Sequence, residues 1–98
     1  MQIKKELNGT TLKVSLLGEL DAIAARELNN ELADIDGVKE LIFDLAGLEY
    51  VASTGLRSLF VLQKKMNKQG SMKLINVRNE VKEVFELTRF IDFFTIEG

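Results

Sequence analysis

Cysteine and histidine are both absent from the 98 residues. No disulfide framework can form, and no metal site of the Cys/His type can be built. Proline is absent too, and no low-complexity linker or internal repeat interrupts the chain. The apolar runs last only a few residues, far short of a membrane span. The opening stretch MQIKKELNGT carries charges with no apolar signal-peptide core behind them. The expectation is a cytoplasmic chain with no membrane segment. Neither sign of charge dominates: 13 basic and 15 acidic side chains give a net charge of −2. No basic block stands out, which argues against a partner recognised through its phosphate backbone, and no nucleic-acid binding is expected. An apolar share of 46% and a charged share of 29% are those of an ordinary globular protein. The length suits one compact domain over residues 1–98 and is too short for two. Folding would bury roughly 60–70% of the surface the unfolded chain exposes, enough for a modest core.

Residues 2–7 and 11–17 read as strands. Leu12, Val14 and Leu16 alternate with Lys13 and Ser15, the period of a half-buried strand. Asn8-Gly9 between them is a hairpin turn signal, because both residue types tolerate positive φ. In GELDAIAARELNNELADIDG, Asp21 can cap a helix, and Ala25, Leu28, Leu32 and Ile35 fall on one stripe. That helix is predicted to end near Asp36-Gly37. KELIFDL, residues 39–45, has three consecutive apolar residues, as in a strand covered on both faces. AGLEYVA reads as a connecting loop. A second helix runs from Ser53 to about Lys68, with Leu56, Leu59, Phe60, Leu62 and Met66 on its apolar face. SMKLINV, residues 71–77, is a further strand. NEVKEVFELTR is a third helix with Val81, Val84, Phe85 and Thr88 on one side, and FFTIE closes with an edge strand. The predicted class is α/β: an N-terminal antiparallel hairpin, then parallel strands in one mixed sheet, with helices packed on it through right-handed crossovers.

The stretch EYVASTGLRSL, residues 49–59, carries the chemistry. Ser53 and Thr54 stand against Gly55 at a predicted helix start. A serine hydroxyl is a weak nucleophile unless a neighbour takes its proton, and the usual base, histidine, is missing. No nucleophile elbow is present, since residue 51 is Val51, and the glycines are scattered singly rather than gathered in a phosphate-binding loop. These features argue against a catalytic chain and against a nucleotide-binding one; no catalytic residue, metal or cofactor is expected. Two readings of Ser53 remain, and they are compatible. It caps the helix, a contribution of about 1 kcal/mol, or it accepts a phosphate where free N–H groups and the positive end of the helix dipole gather. Arg57, one turn further on, can pair with such a phosphate or with a partner's carboxylate. Leu48 and Tyr50 are either exposed anchors or plugs at the sheet's end, and Leu56 is either partner surface or core.

Four stretches in order, VSLLGELDAIAARELNNEL, ELIFDLAGLEYVASTGLRSL, GSMKLINV and VKEVFELTRFIDFFTI, together resemble the STAS domain of bacterial anti-sigma factor antagonists. The resemblance spans nearly the whole chain. The second stretch is the most specific: a strand ending in Asp-Leu, a loop, then an acceptor serine, Ser/Thr/Ala and Gly-Leu at a helix start. The resemblance implies a partner-switching circuit. Such antagonists bind an anti-sigma factor that is also a serine kinase of the histidine-kinase-like ATPase fold, are released when phosphorylated, and are reset by a serine phosphatase. Carried onto this sequence, the acceptor is Ser53, and the partner surface is Asp21, Ala52, Ser53, Thr54, Gly55, Leu56 and Arg57. A monomer is expected. One position departs from the pattern: the family's usual aspartate before the acceptor is Ala52 here. That departure favours a second reading, a STAS docking module of a transporter or signalling assembly that is never phosphorylated.

Overall fold

The second strand is long enough to serve two neighbours, and the sheet is arranged around it. A computed structural model describes residues 1–97. Strands β1 (Gln2–Asn8) and β2 (Thr11–Leu20) form the expected antiparallel hairpin. Helix α1 (Ala22–Glu31) leads to β3 (Glu40–Asp44), β4 (Leu48–Val51) and helix α2 (Ser53–Asn67). Strand β5 (Ser71–Ile75), helix α3 (Asn79–Leu87), a 3-10 turn at Phe90–Phe93 and β6 (Ile96–Glu97) complete the chain. The order across the sheet is β1-β2-β3-β5-β6, with every pairing after the hairpin parallel. The mixed α/β class read from the sequence is the one observed.

The first half of β2, Thr11–Ser15, pairs with β3. Its last residues, Gly18–Leu20, pair instead with β4. The switch is made by a bulge at Gly18/Glu19, where Gly18 adopts φ +107, a region closed to most side chains. Its N–H donates to the Gly47 carbonyl at 2.9 Å, which starts the second pairing.

One face of the sheet carries the core. Leu12, Val14 and Leu16 of β2, Leu41 and Phe43 of β3, and Met72 and Leu74 of β5 are buried in one cluster with Leu28, Leu56, Leu59, Met66, Val81 and Phe85 of the helices. Burial of each large side chain contributes about 1.5–3 kcal/mol. The opposite face stays polar. There Lys13 and Lys73 flank Ile42 in register, and their ammonium groups lie 3.9 Å from Asp44 and 3.9 Å from Glu40. Strand β3 is therefore covered on one face only. Ile42 is half-buried, and the flanking lysines replace the second helical layer that three consecutive apolar residues suggested.

Several expected boundaries move. α1 stops at Glu31, not near Gly37. Asp34 accepts a hydrogen bond from the Asp36 N–H at 3.2 Å, a local turn that competes with helix. Gln69 then holds the loop by donating to the carbonyls of Ile35 at 2.9 Å and Val38 at 2.7 Å. Leu32 and Ile35 are buried all the same, so the apolar spacing was real although its last part is loop. AGLEYVA is not all loop: Leu48–Val51 is a strand. Its residues go buried, exposed, exposed, buried, which hides the period-two signal. In α3, Val81 and Phe85 are buried, whereas Thr88 is exposed and turns its hydroxyl back to the Val84 carbonyl at 2.7 Å.

The bulge supplies a test. Gly18→Ala is expected to cost about 1–3 kcal/mol through backbone strain, read as a lower urea midpoint with an unchanged slope. An unchanged midpoint would show that the positive φ is not needed to turn β2 toward β4.

Candidate functional site

Both helices that follow β2 and β4 begin at the same edge of the molecule. Leu20 is the last residue of β2, and its carbonyl accepts from the Ala52 N–H at 2.9 Å. That bond ties the start of α2 to the residue just before Asp21. Asp21 is the N-cap of α1: its carboxylate accepts from the Ala24 N–H at 2.9 Å, as the sequence suggested.

Gly55 makes the close approach possible. A Cβ at this position would lie 2.6 Å from Leu20 Cγ and 2.8 Å from the Leu20 carbonyl oxygen. The next residue, Leu56, is completely buried (0%). Neither Gly55 nor Leu56 is available to a partner, and both leave the expected contact surface. Helical geometry explains the division, because each residue turns about 100° from the last. Seating residues 55, 56 and 59 on the core sends Ser53, Thr54 and Arg57 into solvent, and all three are exposed.

Ser53 does not cap the helix. The N-cap is Ala52, which offers no side-chain acceptor, and Ser53 is the first helical residue. A capping oxygen must sit one position earlier to reach the N–H groups of the first turn. Among the described residues, no side-chain hydrogen bond engages the Ser53 hydroxyl. Position 52, the site of the departure from the family pattern, is thus also the place where an aspartate would complete the first turn of α2.

Between α1 and α2 runs a groove of about 400 Å³. Ala22 and Ala25 line it from α1, Thr54, Ser58 and Val61 from α2, and an arginine flanks it from each helix: Arg26 and Arg57. Nothing local in the sequence singles out Arg26. It lies beside the apolar stripe of α1, and only the packing of two helices brings it to Arg57. Tyr50 is exposed at 49%, whereas Leu48 is fully buried; both lie in β4 rather than in a loop, and only Tyr50 is open to a partner. Among the described residues, no cluster of carboxylates is arranged to hold a metal ion. Among the described residues, no helix is long and apolar enough to cross a membrane.

Known proteins share this fold. The family model for the STAS domain matches residues 2–98. BtrV of Bordetella bronchiseptica, a protein named as an anti-sigma factor antagonist, is 33% identical over 84 residues, covering 83% of this chain and 72% of BtrV. A solved anti-sigma factor antagonist from Mycobacterium paratuberculosis superposes with a TM-score of 0.88 at 22% identity, over 99% of this chain and 85% of that one. SpoIIAA, an anti-sigma factor antagonist solved in its unphosphorylated form, gives 0.84 at 19% identity, over 99% and 89%. At those identities the two solved structures speak for the fold.

Position 52 can be tested without a partner. Ala52→Asp is expected to stabilise the chain by about 1 kcal/mol by supplying the missing cap, read from urea unfolding. No gain would mean that water serves the first turn of α2 as well as a carboxylate does.

Proposed function

The chain belongs to the STAS domain family, and we propose that it is an anti-sigma factor antagonist switched by phosphorylation of Ser53. In its unphosphorylated form it captures an anti-sigma factor that is also a serine kinase of the histidine-kinase-like ATPase fold, and so frees the sigma factor. Phosphorylation releases it, and a serine phosphatase restores it. The protein acts in the cytoplasm as a monomer and performs no catalysis of its own.

The observation that carries this reading is the position of Ser53. Its hydroxyl is exposed at the first residue of α2, beside backbone fixed by buried Gly55 and Leu56. A phosphate added there leaves the core untouched. It brings about −1.5 to −2 charges and three acceptor oxygens to a surface corner, next to the start of a helix, where negative charge is tolerated. In the transfer, Ser53 Oγ bonds to the γ-phosphorus of ATP held by the kinase as the bond to ADP breaks. The proton passes to a base on the kinase, since this chain contains no histidine. Like-charge repulsion and the cost of desolvating a phosphate then open the interface.

Ala52 favours a second reading, a docking module that binds a partner and is never phosphorylated. Intact-mass analysis separates the two. Wild type and Ser53→Ala are incubated with ATP and the anti-sigma factor kinase of the same organism. A gain of one phosphate in wild type, absent from the variant, is the expected result. No gain in either, with the complex still forming, would establish the docking module instead.

A further inference from the structure

Helix α2 is a basic island in an acidic protein. Its 15 residues include Arg57, Lys64 and Lys65 and no carboxylate, while the chain as a whole carries −2. The arginines converge on the groove between α1 and α2: Arg57 from one wall, Arg26 from the other. No aspartate or glutamate lines that groove. Among the described residues, neither guanidinium takes part in an ion pair; the five pairs present use Lys5, Lys13, Lys73 and Arg78. The rest of the lining is uncharged: Ala22, Ala25 and Asn29 on one side, and Thr54, Ser58 and Val61, 56% exposed, on the other.

We propose that this groove receives a carboxylate-bearing segment of the partner protein, held by Arg26 and Arg57, and that a phosphate on Ser53 ejects it by taking Arg57 for itself. The inference deepens the antagonist reading and rests on it. A guanidinium presents a planar fork of donors that matches a carboxylate, and two unpaired forks flanking an otherwise uncharged groove complement an acidic segment. A nucleic-acid strand fits less well, because the exposed sheet face carries Glu40, Asp44 and Glu97 and extends no basic track. The regulatory step follows from helix geometry. Ser53 and Arg57 are four residues apart on α2, so their side chains are neighbours on one face. A phosphate at 53 then competes for Arg57 from within the same molecule, at an effective concentration no separate partner matches. The partner loses an anchor and faces new negative charge at the same moment.

The test titrates the full chain into the ATP-loaded anti-sigma factor kinase at low and at physiological salt. The variants are Arg57→Glu, Arg26→Glu and, as a charge-matched control on the polar sheet face, Lys4→Glu. All three side chains are exposed, so each variant should melt as wild type does. Each groove reversal is expected to weaken binding by about tenfold or more and to flatten its salt dependence, with Lys4→Glu close to wild type. In Arg57→Gln, phosphorylation should weaken the complex less than it does in wild type, since the two effects share one side chain. Equal binding by all variants, or an equal loss in the Lys4→Glu control, would overturn the docking assignment while leaving the antagonist reading intact. Perturbation of Thr54 and Arg57 signals by ATP or GTP alone, at affinities exceeding the kinase's, would also overturn it and make the groove a nucleotide site. Failure of wild type to bind at low salt would remove the antagonist reading and this inference together.

Discussion

The contact between Gly55 and the end of β2 decides where everything at the functional edge lies. Leu20 sits where a Cβ on residue 55 would have to be, and its carbonyl receives the Ala52 N–H. With α2 seated there, the starts of both helices share one edge of the molecule. Asp21 caps one helix and Ser53 begins the other. The bulge at Gly18 stands upstream of this contact, because it carries β2 past β3 and onto β4. Without that extension, Leu20 would not reach the start of α2.

The seat also divides the labour along α2. Gly55, Leu56, Ser58 and Leu59 face inward, and Ser53, Thr54, Arg57 and Val61 face out. The inward set holds the backbone still and the outward set is free to vary. A switch built this way changes charge without changing shape. The scaffold beneath Ser53 is packed whether or not a phosphate stands on it, so a partner would be repelled by what is added to the surface and not by a refolded loop. Ala52 fits the same division. An aspartate there would strengthen the first turn of α2 but place a negative charge beside Ser53. Alanine gives up the cap and adds no charge beside Ser53.

Much of this was legible in the sequence. The hairpin, the order of strands and helices, and the start of α2 followed from Asn8-Gly9, from the alternation around Val14 and from the apolar face of Leu56, Leu59 and Met66. The stretch around Ser53 stands out because Ser53 and Thr54 meet a glycine at a predicted helix start; its role as a phosphate acceptor is what the family resemblance implies. What could not be read belongs to long-range contact. β4 carries no strand signal in the sequence, because its partner is the tail of β2 and four residues with two exposed in the middle show no period. The helical spacing of Leu32 and Ile35 runs on past the end of α1, into a loop that Gln69, more than thirty residues away, holds in place. Leu56 has two readings in the sequence, partner surface by its motif and core by its apolar stripe, and the structure buries it together with Gly55. Arg26 carries no local signal at all; it matters only because α1 and α2 lie side by side.

The most direct test of a binding edge at the paired helix starts is a footprint. Backbone amide spectra of the labelled, unphosphorylated chain would be recorded with and without the anti-sigma factor kinase. Changes concentrated at Asp21–Arg26 and Ser53–Val61, with the polar sheet face at Lys13, Ile42 and Lys73 undisturbed, are the expected result. A footprint centred on that sheet face, or on the aromatic cluster of Phe60, Phe90 and Phe93, with the helix starts unchanged, would contradict it.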